Sequence, residues 1–209
     1  MKVLVTGATG RVGANLAKKL MEKGYDVRGL VLPNDPKIDK VKDIGVEVFP
    51  GDLRDYSRIS EAVEGVDAVI HCAAIIAGRE MPPGVSRSLL FDVNVKGTFH
   101  LLEAARERMD RIKRFIFIST DGVYSSINPK YTPIDENHPQ EPVTLYDLSK
   151  VLGEKMCLHY MSEGLPIVIL RPGSIVACDE ILRFFTLNFW INWFKAMKEL
   201  KGVKEPWRY

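Results

Sequence analysis

Two residues whose types and spacing can move a proton, Tyr146 and Lys150, lie four positions apart. In a helix this spacing places both side chains on one face. A phenol with a reference pKa of about 10 is a poor base near neutral pH, but a nearby ammonium favours the phenolate and lowers that pKa. Tyr146 can then exchange a proton with a substrate hydroxyl or carbonyl as a general acid/base. Because Tyr-x-x-x-Lys pairs are common on surface helices, the surrounding elements decide how this pair is interpreted.

Three glycines near the start of the chain, Gly7, Gly10 and Gly13, have the spacing of a phosphate-binding turn. They follow the apolar run 3–5 and precede a helical pattern, which predicts a strand, a tight turn and a helix. Glycine permits the close approach of a pyrophosphate, and the helix N-terminus favours its negative charge. The spacing G-x-x-G-x-x-G is a variant of the dinucleotide fingerprint. A β–α turn without a ligand is the alternative.

Strand-like and helix-like patterns alternate along the chain, which predicts an α/β fold: a Rossmann-type doubly wound parallel sheet with helices on both faces. The predicted strands are 3–5, 27–32, 46–49, 68–70, 115–118 and 167–170, and the main predicted helices are 11–23, 56–64, 89–108 and 145–162. Ligands of such sheets bind at the carboxyl ends of the strands. The glycine turn and the motifs at 71–74, 119–120 and 171–173 all fall there, so we expect one site at that edge.

The end of the second predicted strand bears on the choice between NAD and NADP. A NAD-binding fold usually places an acid there for the ribose 2′-OH. This chain has Leu32 instead and reaches Asp35 a few residues later. Arg11 can pair with the 2′-phosphate of NADP, or it is a solvated residue of the helix start, so NAD or NADP stays open. Asp52 can accept a hydrogen bond from adenine, or it is a turn or N-cap aspartate.

The composition narrows the class of protein. The 209 residues carry a net charge of +2 and are 46% hydrophobic, which gives no reason to expect nucleic acid or a membrane surface as a partner. No apolar run reaches the roughly 18 residues of a transmembrane helix. Cys72, Cys157 and Cys178 are far apart and lack metal-ligand spacing. We therefore predict buried thiols, no metal site and a cytoplasmic location.

The motifs as a set resemble the extended short-chain dehydrogenase/reductase family, of the NAD-dependent epimerase/dehydratase type. They occur in family order over residues 1–176 and are the glycine turn, Gly51-Asp52-Leu53, His71-x-Ala73-Ala74, Asn94-Val95-x-Gly97-Thr98, Ser119-Thr120 with Val123-Tyr124, Tyr146-x-x-x-Lys150 and Arg171-Pro172-Gly173. The resemblance implies that Thr120, Tyr146 and Lys150 are catalytic. The cofactor-binding residues it implies are Gly7, Gly10, Arg11, Val12, Gly13, Asp52, Leu53, Ala73, Ala74, Asn94, Tyr146, Lys150, Pro172 and Ser174. Asn94 is alternatively a polar helix residue, and we interpret His71 as a core histidine.

The activity implied by the resemblance is that of a NAD(P)-dependent oxidoreductase or epimerase. Such an enzyme moves a hydride between the nicotinamide and a secondary alcohol or ketone, with a nucleotide sugar as the expected substrate. Sugar 4,6-dehydratases of the family carry an Asp-Glu pair after the Thr, whereas this chain has Asp121 and Gly122, so we rank dehydration lower. The alternative function is a dinucleotide-binding scaffold, sensor or subunit without turnover. By resemblance we expect a homodimer through helices 89–108 and 145–162.

The carboxyl-terminal residues 177–209 depart most from the family pattern, in which the chain continues into a substrate domain. Residues 181–194 are densely apolar and predicted helical, and they are too aromatic all round for an exposed helix. We expect them to pack on the sheet, cover the pocket or bind a partner chain, with a membrane-surface helix less favoured. The sequence thus predicts a dinucleotide-binding domain over 1–176 and a short helical remnant of the substrate domain over 177–209, truncated or naturally short.

Overall fold

The computed structural model describes residues 1–78, 80–124, 129–173 and 175. Within these residues, six parallel strands form one sheet in the order β3-β2-β1-β4-β5-β6. The strands are β1 (Lys2–Thr6), β2 (Asp26–Val31), β3 (Glu47–Pro50), β4 (Ala68–His71), β5 (Arg114–Ile118) and β6 (Ile167–Leu170). This is the strand order of doubly wound dinucleotide folds, which confirms the predicted fold class.

Helices connect successive strands and cover both faces of the sheet. They are α1 (Arg11–Glu22), α2 (Ile38–Lys42), α3 (Tyr56–Val63), α4 (Arg87–Phe91), α5 (Gly97–Arg106) and α6 (Leu145–Ser162). The predicted helix 89–108 corresponds to α4 and α5, joined by a π-helical turn over Asp92–Lys96, and the short α2 was not predicted. No helix in the described part of the chain is long and apolar enough to cross a membrane.

Side chains alternate along the strands between two buried clusters, one on each face. In β1, Leu4 points into one cluster with Phe115 and Phe117, whereas Val3 and Val5 point into the other. Successive residues of a strand project to opposite faces, so a strand that is apolar throughout must be covered on both. The helices supply that cover.

The pairing register brings the carboxyl ends of the central strands to one edge. Thr6 pairs with His71, and His71 pairs with Phe117. The residues that follow these strands therefore emerge side by side. Met1–Gly173 forms one compact unit. Ser174 and residues 176–209, which include Cys178, lie outside the described residues, so the domain boundary at 176 stays a prediction.

Candidate functional site

The glycine turn after β1 packs too closely for larger side chains. Gly7 has a φ of +62°, a conformation that favours glycine, and a Cβ on it would stand 2.9 Å from the Cα of Ala73. A Cβ on Gly13 would overlap the carbonyl oxygen of Gly7. Gly10 caps α1 without a side-chain hydrogen bond, which leaves the positive end of the helix dipole accessible. Such a cradle suits the pyrophosphate of a dinucleotide.

A cavity of about 370 Å³ opens beside this turn, along the ends of the first four strands. Its lining residues are Gly7, Thr9, Gly10, Leu30, Val31, Leu32, Asp35, Gly51, Asp52, Leu53, Arg54, Cys72, Ala73, Ala74, Ile75, Leu89 and Val93. Six of the predicted cofactor-binding residues are therefore brought together here: Gly7, Gly10, Asp52, Leu53, Ala73 and Ala74. Arg11, Val12 and Gly13 form the first turn of α1 and are not in the lining.

Asp35 is a cavity residue that sequence reasoning did not place in the site. The chain turns back after β2 through Asn34, whose φ is +62°, and the Asp35 N–H bonds to the carbonyl of Leu32 at 3.2 Å. Asp35 Oδ2 then accepts a hydrogen bond of 2.6 Å from Thr9 Oγ1, and this bond lowers the pKa of the carboxyl. The turn thus brings a charged carboxylate to the glycine turn despite its late position in the sequence.

Asp52 behaves as a turn residue. Its Oδ1 accepts from the Arg54 N–H at 2.9 Å, and its Oδ2 accepts from Arg54 Nη2 at 2.6 Å. The hydrogen bond from the Arg54 side chain lowers the pKa of Asp52. These contacts favour the turn alternative, and a contact between Asp52 and adenine stays a prediction.

His71 is a neutral core histidine, as the sequence interpretation had it. Thr98 Oγ1 donates to the Asn94 carbonyl at 2.5 Å, so it must accept from His71 Nε2–H at 2.9 Å. His71 Nδ1 is then the acceptor of the 2.7 Å bond from Thr6 Oγ1. Burial lowers the pKa of His71 to about 3. Both ring nitrogens are occupied, and a catalytic role has no free atom.

Asn94 lies in the π-helical turn and connects the cavity to α6. Its Oδ1 accepts from the Ile75 N–H at 2.8 Å, and its Nδ2 donates to the Ile75 carbonyl at 2.9 Å and to Ser149 Oγ at 3.0 Å. Ser149 Oγ in turn donates to the Tyr146 carbonyl at 2.6 Å. The amide is fully used in this bridge, which places Asn94 in a supporting position behind the cavity wall.

The predicted catalytic pair stands on the first two turns of α6, beyond the cavity lining. Lys150 is almost completely buried, and its Nζ donates to the Ile118 carbonyl at 2.8 Å and lies 4.9 Å from the ring centroid of Phe117. Burial lowers the pKa of Lys150 to about 8. The helix approaches β5 closely because residue 153 is a glycine. A Cβ at this position would stand 2.5 Å from Phe117 Cζ. This close packing lets Lys150 reach the end of the strand.

The pKa of Tyr146 is raised, which contradicts the expectation that Lys150 lowers it. Burial raises it most, and the carboxylates of Asp147 and Asp121 add to the rise. A hydrogen bond with Thr120 opposes them. Lys150 Nζ lies 5.9 Å from the centroid of the phenol ring but directs its bond to the β5 carbonyl. Burial and the two carboxylates therefore favour the protonated hydroxyl.

A buried network holds this pair against the sheet, and sequence reasoning missed its centre, Glu154. The carboxylate accepts from Ser119 Oγ at 2.5 Å, from Arg171 Nε at 2.9 Å and Nη2 at 2.7 Å, and from Gln140 Nε2. Arg171 also donates to the Tyr124 hydroxyl. The position of Glu154 four residues after Lys150 was the available signal, since it places both on one face of α6.

Two predicted cofactor-binding residues follow β6, and the structure describes one of them. The Pro172 carbonyl accepts from the Asp121 N–H at 3.0 Å, beside Thr120, whereas Ser174 is not described. Cys72 and Cys157 are free thiols whose pKa burial raises to about 12. Over the described ranges, no group of three or more His, Cys, Asp or Glu is arranged to hold a metal ion.

Comparisons with known proteins agree with this geometry. The profile of the NAD dependent epimerase/dehydratase family matches residues 3–204. The chain is similar to sterol demethylase protein B of Methylococcus capsulatus, 35% identical over 178 residues that cover 84% of this chain and 52% of that protein. An uncharacterized UDP-glucose epimerase of Bacillus subtilis is 34% identical over 187 residues, which cover 82% of this chain and 55% of that protein. The chain spans about half the length of these curated relatives.

The chain is also similar in fold to a solved structure. A short-chain dehydrogenase/reductase superfamily protein from Agrobacterium tumefaciens, crystallised with bound NAD, superposes with a TM-score of 0.77 and is 34% identical. The match covers 92% of this chain and 55% of that one.

Proposed function

We propose that this chain, which belongs to the NAD dependent epimerase/dehydratase family, is an NAD-dependent oxidoreductase or epimerase of the short-chain type. It moves a hydride between the nicotinamide and a secondary alcohol or ketone, with Tyr146 as general acid/base. One observation carries the proposal: Tyr146, Lys150 and Thr120 meet at the strand edge that also holds the glycine turn. A proton donor beside a dinucleotide cradle is what reversible hydride transfer to a carbonyl requires.

NAD is the cofactor that the cavity favours over NADP. The close packing at Gly7 and Gly13 leaves backbone rather than side chains against the pyrophosphate. Asp35 offers a carboxylate for the ribose 2′-OH, and a 2′-phosphate would be repelled by it. The Agrobacterium tumefaciens relative, crystallised with NAD, supports the same choice. Arg11 remains the residue that would favour NADP.

Each residue of the site has a separate role in the proposed reaction. When bound, the cofactor supplies or takes up the hydride. Tyr146 gives a proton to, or takes one from, the substrate oxygen, and the Thr120 hydroxyl holds that oxygen. Lys150 is oriented by the Ile118 carbonyl and has further N–H groups for the ribose hydroxyls. Asn94 keeps α6 in register with the cavity wall through Ser149.

The substrate is proposed to be a nucleotide sugar or another hydroxy or keto compound. The relatives include an uncharacterized UDP-glucose epimerase and sterol demethylase protein B, so we propose no more of the substrate than a secondary alcohol or ketone carbon. Dehydration is disfavoured by one packing relationship. A Cβ on Gly122 would overlap Asp147 Oδ1, so the Glu of a dehydratase pair does not fit at 122 unless Asp147 moves.

A homodimer in the cytoplasm completes the proposal. Helices α4, α5 and α6 present a shallow groove of about 680 Å³ that includes Phe91 and Phe99, which are 43% and 44% exposed. Two such faces from two copies would form a four-helix contact and cover the exposed rings.

The test is the substitution Tyr146→Phe. We expect it to abolish both the cofactor-dependent absorbance change with a panel of alcohols and ketones and the interconversion of epimers, followed by NMR, with a panel of nucleotide sugars. NAD binding measured by calorimetry should be retained. Retained turnover would exclude Tyr146 as the acid/base. Tight NAD binding by the unaltered protein without turnover over the panel would favour the alternative, a dinucleotide-binding scaffold, sensor or subunit.

A further inference from the structure

We propose that Thr9, in the glycine turn, is a positioning residue that orients the Asp35 carboxylate toward the adenosine ribose of the bound dinucleotide. The inference rests on the proposed function, in which NAD occupies this cavity, and adds a residue on which recognition of the 2′-hydroxyl depends. The family resemblance assigns no role to Thr9.

The contact between Thr9 and Asp35 joins two turns that are far apart in the sequence. Thr9 follows β1 and Asp35 follows β2, and these strands are neighbours in the sheet, with Thr6 paired to Leu30. Thr9 Oγ1 donates to Asp35 Oδ2 at 2.6 Å, and both residues line the cavity beside the glycine turn. The hydrogen bond is therefore part of the cavity wall.

The backbone around Asp35 fixes only one of its carboxylate oxygens. The Ile38 N–H donates to the Asp35 carbonyl at 3.1 Å, and the Lys37 N–H donates to Asp35 Oδ1 at 2.9 Å. The last torsion of an aspartate side chain has a broad energy minimum, so one hydrogen bond does not define the plane of the carboxylate. Thr9 holds the second oxygen, Oδ2, and this second bond determines that plane.

The carboxylate keeps the capacity to bind a ligand hydroxyl. An ionised carboxylate has about four acceptor sites, and within the described residues Thr9 and Lys37 occupy two of them. The Thr9 bond also lowers the pKa of Asp35, so the group is charged near neutral pH. Because Thr9 donates its proton to Asp35, the carboxylate is the acceptor that remains for a ribose 2′-hydroxyl. A hydrogen bond to a charged acceptor is stronger than one between neutral groups.

The Thr9 bond orients the carboxylate before the cofactor binds. A group that is already held in its binding geometry loses less conformational freedom on association than a mobile one. Loss of the Thr9 hydroxyl should therefore weaken recognition of the 2′-hydroxyl, while the Asp35 charge and the glycines of the turn remain. A positioning role thus predicts a loss that is confined to ligands carrying this hydroxyl.

The test compares NAD, by calorimetry, with its analogue that lacks the 2′-hydroxyl of the adenosine ribose. The unaltered protein should bind NAD at least about tenfold more tightly than this 2′-deoxy analogue. In Thr9→Val, which keeps the branched shape and removes the hydroxyl, the ratio of the two affinities should fall about threefold to tenfold. Thr9→Ser, which keeps the hydroxyl, should restore the ratio.

The matched control is Ser57→Ala. Ser57 Oγ donates to Asp55 Oδ1 at 2.7 Å, which is another bond between a hydroxyl and a carboxylate, but neither residue lines the cavity. Its loss should leave the ratio of affinities unchanged. Circular dichroism and Tm check that each variant is folded, and Thr9→Ala removes the same hydroxyl if Thr9→Val is unfolded.

An unchanged ratio in Thr9→Val would overturn the inference even if both affinities fell, because Thr9 would then support the turn without orienting Asp35. Equal binding of NAD and the analogue by the unaltered protein would overturn it as well, since Asp35 would not recognise the hydroxyl. Absence of NAD binding by the folded, unaltered protein would instead refute the proposed function, so the two failures are distinguishable.

Discussion

Glu154 and Arg171 form a bidentate ion pair, in which Arg171 Nε donates to Glu154 Oε1 at 2.9 Å and Arg171 Nη2 donates to Glu154 Oε2 at 2.7 Å. Glu154 is almost completely buried, and the Ser119 hydroxyl and Gln140 complete its set of donors. The pair joins α6 to the ends of β5 and β6. The helix that carries Tyr146 is thereby tied to the strands that carry its partners.

Removal of one partner should therefore be costly. Glu154→Ala removes the carboxylate that pairs with Arg171, whose side chain is 21% exposed, and leaves the Ser119 hydroxyl and Gln140 without their acceptor. We expect a loss of about 3 kcal/mol in the free energy of unfolding measured with urea. Glu47→Ala is the matched control, because Glu47 also pairs with an arginine but its side chain is 46% exposed. Its loss should be at most about 1 kcal/mol. Equal losses would show that the buried pair contributes no more than a surface one.

The buried neutral histidine should make stability depend on pH. The pKa of His71 falls from 6.5 to about 3 on folding, so between these values the unfolded chain binds a proton that the folded chain does not. Stability must then rise with pH through this window, by up to about 1.4 kcal/mol per pH unit. Urea unfolding over about pH 5 to 6.5 should show a shallower slope in His71→Gln. A slope unchanged by the substitution would contradict the neutral assignment.

Alanine substitutions at Gly7 and Gly24 distinguish the effect of backbone strain on stability from an effect on cofactor binding. Both have positive φ, +62° and +79°, but a Cβ on Gly24 meets nothing within 4 Å. Alanine at either position should cost about 1 kcal/mol of stability or more. Only Gly7→Ala should weaken NAD binding, by at least about tenfold, because its Cβ would clash with Ala73 and displace the turn proposed to hold the pyrophosphate. Equal NAD affinities in calorimetry would place the pyrophosphate elsewhere.

The choice between the two dinucleotides should follow Asp35. Asp35→Asn removes the charge that repels a 2′-phosphate, so the ratio of NADP to NAD affinity should rise about tenfold or more. Asp39→Asn, on nearby α2 and outside the cavity lining, is the control and should leave the ratio unchanged. If both variants keep the original ratio, another residue selects the cofactor.

The groove on α5 and α6 should govern the oligomeric state. Phe99→Glu places a charge in the groove, and we expect sedimentation velocity to show monomers in place of dimers. Leu158→Glu changes an equally exposed position of α6 that does not line the groove, at 49% exposure. It should sediment as the unaltered protein does. A monomeric unaltered protein would refute the proposed dimer.

The parts of the fold set by local pattern were predictable. The bounds of α6 and β6 agree with the predicted 145–162 and 167–170, since both elements follow from the local residue pattern. The structure adds Thr144 as the cap of α6. Helix α2 was missed because five largely charged residues carry no helical periodicity. The π-helical turn was missed because the apolar pattern runs through it unbroken.

The site residues whose relative position follows from helical spacing were predictable. Those brought together by contacts between residues far apart in the sequence were not. Tyr146 and Lys150 follow from helical spacing. Asp35 reaches the cavity only through the left-handed turn at Asn34, and Glu154 gains its role only when Arg171 meets it in three dimensions. The predicted direction of the Tyr146 pKa shift was wrong, because burial and the carboxylates of Asp147 and Asp121 raise that pKa.

The contact between Gly153 and Phe117 sets the distance between α6 and β5. A lysine side chain has a fixed reach, and Lys150 spans the gap to the Ile118 carbonyl only because no methyl group separates α6 from β5. Substitutions across the exposed face of α6 leave that gap unchanged. A single added carbon at position 153 would widen the gap. The packing of the protein interior thus determines whether the Lys150 ammonium reaches its acceptor.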